Sequence, residues 1–210
     1  RYSNICKSSS KKCLSCNVKY CKTNIKKWKK SRNRKRFNVS KRYNFLHTIS
    51  GLKLIDSKNF IEKLQNLGID FFCGVPDSLM SEFSKSLHFD FHNNNHIIAS
   101  NEGSALSIGM GYNLSTQKIP LIYLQNSGLG NIVNPYVSLL HKEIYNIPFV
   151  LLIGWRGEPN KQDEPQHKVQ GRITEDLLKL LEIDYIYFDE KSILEEIIEK
   201  IETYTKKKKP

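Results

Sequence analysis

Glu102 follows a short apolar run, 96–99, and precedes a stretch of small residues that includes Gly103, Ala105, Gly109 and Gly111. A carboxylate at a helix start is favoured by the helix dipole, so two roles stay open for it, a cap or an acid poised for proton exchange. A second group lies at Gln125, Asn126, Ser127, Gly128, Leu129, Gly130 and Asn131, where glycines would let a backbone approach a planar or phosphate-bearing ligand. Tight strand-to-helix turns use the same residues for geometry alone. The group lacks the Lys-Ser or Lys-Thr of a P-loop and the spacing of a dinucleotide fingerprint. The long polar stretch 154–171 holds Trp155, Arg156, Glu158, Asp163, Glu164 and His167, with Arg172 just beyond. It supplies an imidazole and two guanidiniums, or else a solvated charged loop. Cys73 sits in an apolar run without the His and Asn motif of a thiol enzyme, and Ser104 is not in a Gly-x-Ser-x-Gly elbow.

The surrounding pattern says how these residues are positioned. Asp56 is an N-cap for a helix over 57–67, whose Phe60, Ile61, Leu64 and Leu67 recur at helical spacing, with Gly68 as the stop. Short apolar strands over 69–73, 96–99, 120–125, 148–153 and 185–188 alternate with helices over 78–87, 102–114, 132–140, 173–181 and 192–204. Continuous apolar strands alternating with helices predict an α/β fold, a three-layer α/β/α arrangement around a mainly parallel sheet. In such sheets ligands bind beyond the carboxyl ends of the strands. The stretches 74–78, 100–103, 125–131 and 154–167 all fall there, which is the main functional signal in the pattern.

Charge divides the chain of 210 residues. The formal net charge is +12, yet all 21 acidic residues lie between Asp56 and Glu202, and 17 of the 33 Lys and Arg precede Asp56. The pattern predicts a basic, largely disordered leader over 1–54, a domain over 55–204 and a basic tail or linker over 205–210. Four readings of the leader stay open: an organelle transit peptide, a nuclear-localisation or nucleic-acid patch at 28–36, a metal site at Cys13, Cys16 and Cys21 lacking a fourth ligand, or a low-complexity extension. The acidic domain disfavours nucleic acid as its partner. No apolar run approaches the roughly 18 residues that would span a bilayer.

Six motifs carry a resemblance. Gly74-Val75-Pro76-Asp77-Ser78, Asn101-Glu102-Gly103-Ser104-Ala105 and Tyr123-Leu124-Gln125-Asn126-Ser127-Gly128-Leu129-Gly130-Asn131 resemble the thiamine-diphosphate-dependent 2-oxo acid decarboxylases. So do Leu152-Ile153-Gly154-Trp155-Arg156-Gly157-Glu158-Pro159, then Asp163-Glu164-Pro165-Gln166-His167 and Gln170-Gly171-Arg172. The likeness runs from about Asp56 to Glu190 and is strongest to phosphonopyruvate decarboxylases and to the alpha subunits of sulfopyruvate decarboxylases. It covers their pyrimidine-binding half.

The resemblance implies the following. The fold is the thiamine-diphosphate pyrimidine domain. Glu102 hydrogen-bonds N1′ of the aminopyrimidine, Asp77 and His167 are catalytic, and Asn126, Ser127, Gly128 and Leu129 form the turn under the ring. Arg156 and Arg172 bind the anionic end of the substrate. The reaction is decarboxylation of 3-phosphonopyruvate to phosphonoacetaldehyde and CO2, a step of phosphonate biosynthesis, or else that of sulfopyruvate. A non-catalytic fragment is the further alternative. The diphosphate and Mg2+ are expected on another domain or subunit, because the Gly-Asp-Gly signature that binds them is absent from these 210 residues. A homo- or hetero-oligomer follows, inactive without its other half. The resemblance points to the cytoplasm, the acid-free leader to organelle import.

Overall fold

Asp56 caps the first helix, its Oδ1 accepting the N–H groups of Lys58 and Asn59 at 3.0 and 3.3 Å. Helix α1 (Ser57–Asn66) follows, and its Phe60, Ile61 and Leu64 are buried. The computed structural model describes residues 45–49, 56–91, 95–189 and 192–206, with 45–49 described by backbone alone. The leader cysteines, the basic run 28–36 and the tail 207–210 lie outside the described residues.

Six strands make one sheet: β1 (Phe45–Ile49), β2 (Phe72–Gly74), β3 (His96–Ile98), β4 (Leu121–Gln125), β5 (Val150–Gly154) and β6 (Asp184–Phe188). Their order is β3-β2-β4-β5-β1-β6, and every pairing is parallel. Helices α2 (Ser81–Phe89), α3 (Glu102–Thr116), α4 (Leu129–Pro135), α5 (Lys168–Leu180) and α6 (Leu194–Lys206) complete the layers. Alternate strand residues feed two cores. Cys73, Ile122, Leu124, Leu151 and Ile153 pack under α3, α4 and α5. Phe72, Leu121, Tyr123, Val150 and Leu152 pack under α1, α2 and α6. Strands β4 and β5 are thus covered on both faces, which is why their sequences read as unbroken apolar runs.

The structure departs from the sequence expectation in three places. β1 falls inside the stretch 1–54 assigned to a disordered leader, yet it pairs with β5 and β6. Its five residues, Phe-Leu-His-Thr-Ile, are flanked by basic and polar residues, so no periodicity longer than the strand itself marks it. The turn expected over 126–131 is a single 3-10 turn over Asn126–Gly128, and α4 begins at Leu129. The polar stretch expected to run to residue 171 ends in a 3-10 turn at Pro165–His167, and α5 starts at Lys168. Gly171 reads as a break in sequence, but it sits within α5, where the absence of a Cβ lets the Gly157 carbonyl pack against the helix.

The chain leaves β2 toward β3 and leaves β4 in the opposite direction toward β5. A crevice opens between neighbouring strands whose connections diverge in this way, at their carboxyl ends. The segments after Gly74 and after Gln125 flank it.

Candidate active site

Asn101 caps α3 by accepting the Ser104 N–H at 2.9 Å. The capping role open to Glu102 is therefore taken by its neighbour, and Glu102, as the first helical residue, turns its side chain elsewhere. Its Oε2 accepts from Asn131 Nδ2 at 2.6 Å. The carboxyl lies against Gly128, where any Cβ would overlap it. Among the described residues Oε1, which lies over Gly128, has no hydrogen-bond partner.

A second cluster forms where β2 and β5 end. Asp77 caps the turn Ser78–Met80, with Oδ2 accepting the Leu79 N–H at 3.2 Å. Its side chain is 2% exposed, and Gly154 leaves the room it occupies. Arg156 lies between two carboxylates, with Nε 3.9 Å from Asp77 Oδ1 and Nη1 3.3 Å from Asp163 Oδ1. Its Nη2 donates to Ser78 Oγ at 3.1 Å. Arg156 Nε is buried and meets no acceptor at hydrogen-bond distance among the described residues. Asp163 accepts the N–H groups of Gly157 at 2.7 Å and Glu164 at 2.8 Å, and its Oδ2 stands 4.0 Å from His167 Nδ1.

The two acids titrate in opposite directions. Burial raises the Asp77 carboxyl above the usual range, and the Leu79 N–H and the Arg156 charge only partly offset it. Burial also pushes Asp163 upward, but the Gly157 and Glu164 N–H donors and the nearby Arg156 outweigh it and hold the group below that range. Cys73 is buried in the core and its thiol is pushed up to about 11 by desolvation, so it is no nucleophile at neutral pH.

The turn Asn126–Gly128 joins the clusters. Gly128 underlies Glu102, and the Asn126 side chain contacts the Arg156 backbone. Of the turn residues expected beneath a cofactor, Ser127 is exposed, with Oγ accepting from Gln125 Nε2 at 2.7 Å. Asn126 and Leu129 are fully buried, Leu129 in the apolar core and the Asn126 amide bonded to the Arg156 backbone and Thr174. The expectation for Arg172 changes too. It is exposed on α5 and makes no hydrogen bond or ion pair among the described residues. Gly171, Thr174 and Leu178 are the buried face of this helix, and one residue's rotation carries Arg172 off it. Asp163, Asn131 and Ser78 complete the clusters. All three lie within the motifs that carry the resemblance, but only the folded loops show which partners they reach.

Residues 57–180 match the family described as thiamine pyrophosphate enzyme, N-terminal TPP binding domain. The chain belongs to this family. It is 36% identical over 132 residues to a phosphonopyruvate decarboxylase of Streptomyces viridochromogenes, covering 63% of this chain and 32% of that protein. It is 35% identical over 120 residues to sulfopyruvate decarboxylase subunit alpha of Methanocaldococcus jannaschii, covering 57% of this chain and 68% of the relative. The alpha subunit of Methanothermobacter thermautotrophicus is 30% identical over 134 residues, covering 64% of this chain and 78% of its own length. The chain thus spans about a third of the phosphonopyruvate decarboxylases it matches and more than two thirds of the alpha subunits. The family's cofactor suits the crevice: the Glu102 carboxyl fills the space a side chain on Gly128 would take, and only one of its oxygens is bonded, to Asn131.

Proposed function

We propose that this chain supplies the pyrimidine-binding half of a thiamine-diphosphate-dependent decarboxylase acting on 3-phosphonopyruvate, with phosphonoacetaldehyde and CO2 as products. The observation that carries the reading is the Glu102 carboxyl, held by Asn131 over Gly128 with one oxygen free. When bound, thiamine diphosphate supplies an electron sink for the carbon–carbon bond that breaks as CO2 leaves. Glu102 shares a proton with N1′ of the aminopyrimidine, and Asn131 keeps the carboxyl pointed toward it. Ser127 and the Gly128 backbone line the ring's place. Arg156 meets the anionic end of the substrate with its guanidinium, Asp163 fixes the loop that carries it, and Asp77 balances its charge from behind. His167, beside Asp163, handles the proton at the carbon that loses CO2. The diphosphate and Mg2+ belong to a second domain or a partner subunit, so the active assembly is an oligomer or a longer chain.

Sulfopyruvate is the second substrate reading, favoured by the coverage of the alpha subunits. Both substrates are 2-oxo acids with an anionic end that suits Arg156. The test is to combine the chain with a diphosphate-binding domain or subunit, thiamine diphosphate and Mg2+, and to measure CO2 release. Turnover of 3-phosphonopyruvate well above that of sulfopyruvate is expected. Preference for sulfopyruvate selects the second reading, and failure with every 2-oxo acid overturns both.

A further inference from the structure

The Asn126 side chain is fully buried and uses three of its hydrogen-bonding positions. Nδ2 donates to the Arg156 carbonyl at 2.8 Å, and Oδ1 accepts the Arg156 N–H at 3.1 Å. The other Nδ2 proton goes to Thr174 Oγ1 at 2.9 Å. Thr174 is itself fully buried and donates to the Gln170 carbonyl at 2.7 Å, while Gln170 Nε2 donates to the Asn126 carbonyl at 2.9 Å. Strands β4 and β5 stay in register as far as Gln125 and Gly154. Two residues beyond Gly154, a side-chain amide takes the place of a strand neighbour and pairs with both backbone groups of Arg156. A primary amide can donate to the carbonyl and accept from the N–H of one residue in this way, and a carboxylate cannot.

We propose that Asn126 is a positioning residue: its amide clamps the Arg156 backbone and so sets the direction in which the guanidinium is presented at the crevice. Its functional meaning rests on the reading of Arg156 as the contact for the substrate's anionic end. The guanidinium reaches Ser78, Asp77 and Asp163 from this clamped base. Its buried Nε–H lacks an acceptor at hydrogen-bond distance among the described residues, so its burial reports how the base is held. Asn126 thereby acts on the substrate through Arg156 rather than on the cofactor.

The test uses this chain itself, labelled with 15N, and follows exchange with water of the Arg156 Nε–H, assigned by its loss in Arg156→Lys. The Trp155 indole N–H, bonded to the Gly171 carbonyl at 2.9 Å, reports the fold. In Asn126→Ala the Arg156 proton is expected to exchange at least about tenfold faster with the Trp155 signal retained. Unchanged exchange with the Trp155 signal retained overturns the proposal. If Asn126→Ala does not fold, Thr174→Val decides, since it removes one acceptor of the Asn126 amide at similar volume. A two- to threefold acceleration, about 0.4–0.7 kcal/mol, is expected there, and no change overturns the clamp. The reading of Arg156 fails separately: if Arg156→Lys leaves the substrate KM of the completed assembly unaltered while the exchange result holds, the clamp stands without that role.

Discussion

The carboxyl of Glu102 lies against Gly128 so closely that no side chain fits on the glycine. One residue opens α3 and the other closes the turn after β4, so the contact brings together the ends of two non-adjacent segments. Gly128→Ala must therefore push Glu102 away from Asn131 or distort the turn. Activity of the completed assembly is expected to fall by about tenfold or more, with weaker thiamine diphosphate binding seen by calorimetry. Unchanged binding would place the ring elsewhere.

Glu102→Gln keeps the volume and the Asn131 contact but removes the exchangeable acid. A loss of about 10²–10⁴ in kcat is expected, with little change in thermal unfolding of the chain. Steady-state kinetics with the complementing half measures the first and circular dichroism the second.

Asp77 and Asp163 carry opposite pH signatures. The folded-state pKa of Asp77 is raised, so its contribution is fully present below the ordinary carboxylate range, about 4, and is lost as pH rises through the higher folded value. The folded-state pKa of Asp163 is lowered, so its contribution is present above about 4 and lost as pH falls through the lower folded value. Relative to wild type, Asp77→Asn is expected to gain stability with rising pH, and Asp163→Asn to lose it. Urea unfolding at intervals between about pH 3 and 7 gives both slopes.

Arg156 joins the crevice network and Arg172 makes no hydrogen bond or ion pair among the described residues, so the two are expected to separate in function. Arg156→Ala is expected to raise the substrate KM by at least about tenfold, the scale of one lost charge-assisted contact. Arg172→Ala, on the exposed side of α5, should change KM by less than about twofold. Equal effects from both would show that Arg172 reaches the substrate.

Gly171→Ala places a Cβ into the Gly157 carbonyl, with Gly157 itself at a φ of +66°. The loop must shift, and destabilisation of about 1–3 kcal/mol is expected, the range for overpacking. A reduced midpoint in urea with an unchanged slope would confirm it.

Much of the arrangement was legible from residue order. The Asp56 cap, the apolar strands and the position of Glu102 at a helix start follow from local rules about dipoles, caps and periodicity. The gathering of chemistry-bearing loops at the carboxyl ends of strands follows from parallel topology. What escaped was set by contacts between distant segments. β1 is five residues long and owes its place to β5 and β6. Asn126 sits in a motif that suggests ligand contact, yet its amide is spent on Arg156, thirty residues away.

The sequence by itself determined that helices and apolar strands alternate beyond Asp56 and that a carboxylate stands at the start of α3, because these depend on neighbours within a few residues. The tertiary structure alone decided that the Glu102 carboxyl meets Asn131 and Gly128, that Arg156 lies between Asp77 and Asp163, and that Arg172 stays exposed. Those outcomes depend on which side chains fill the limited hydrogen-bonding positions of a buried crevice, and that competition exists only once the sheet has brought β2, β4 and β5 side by side.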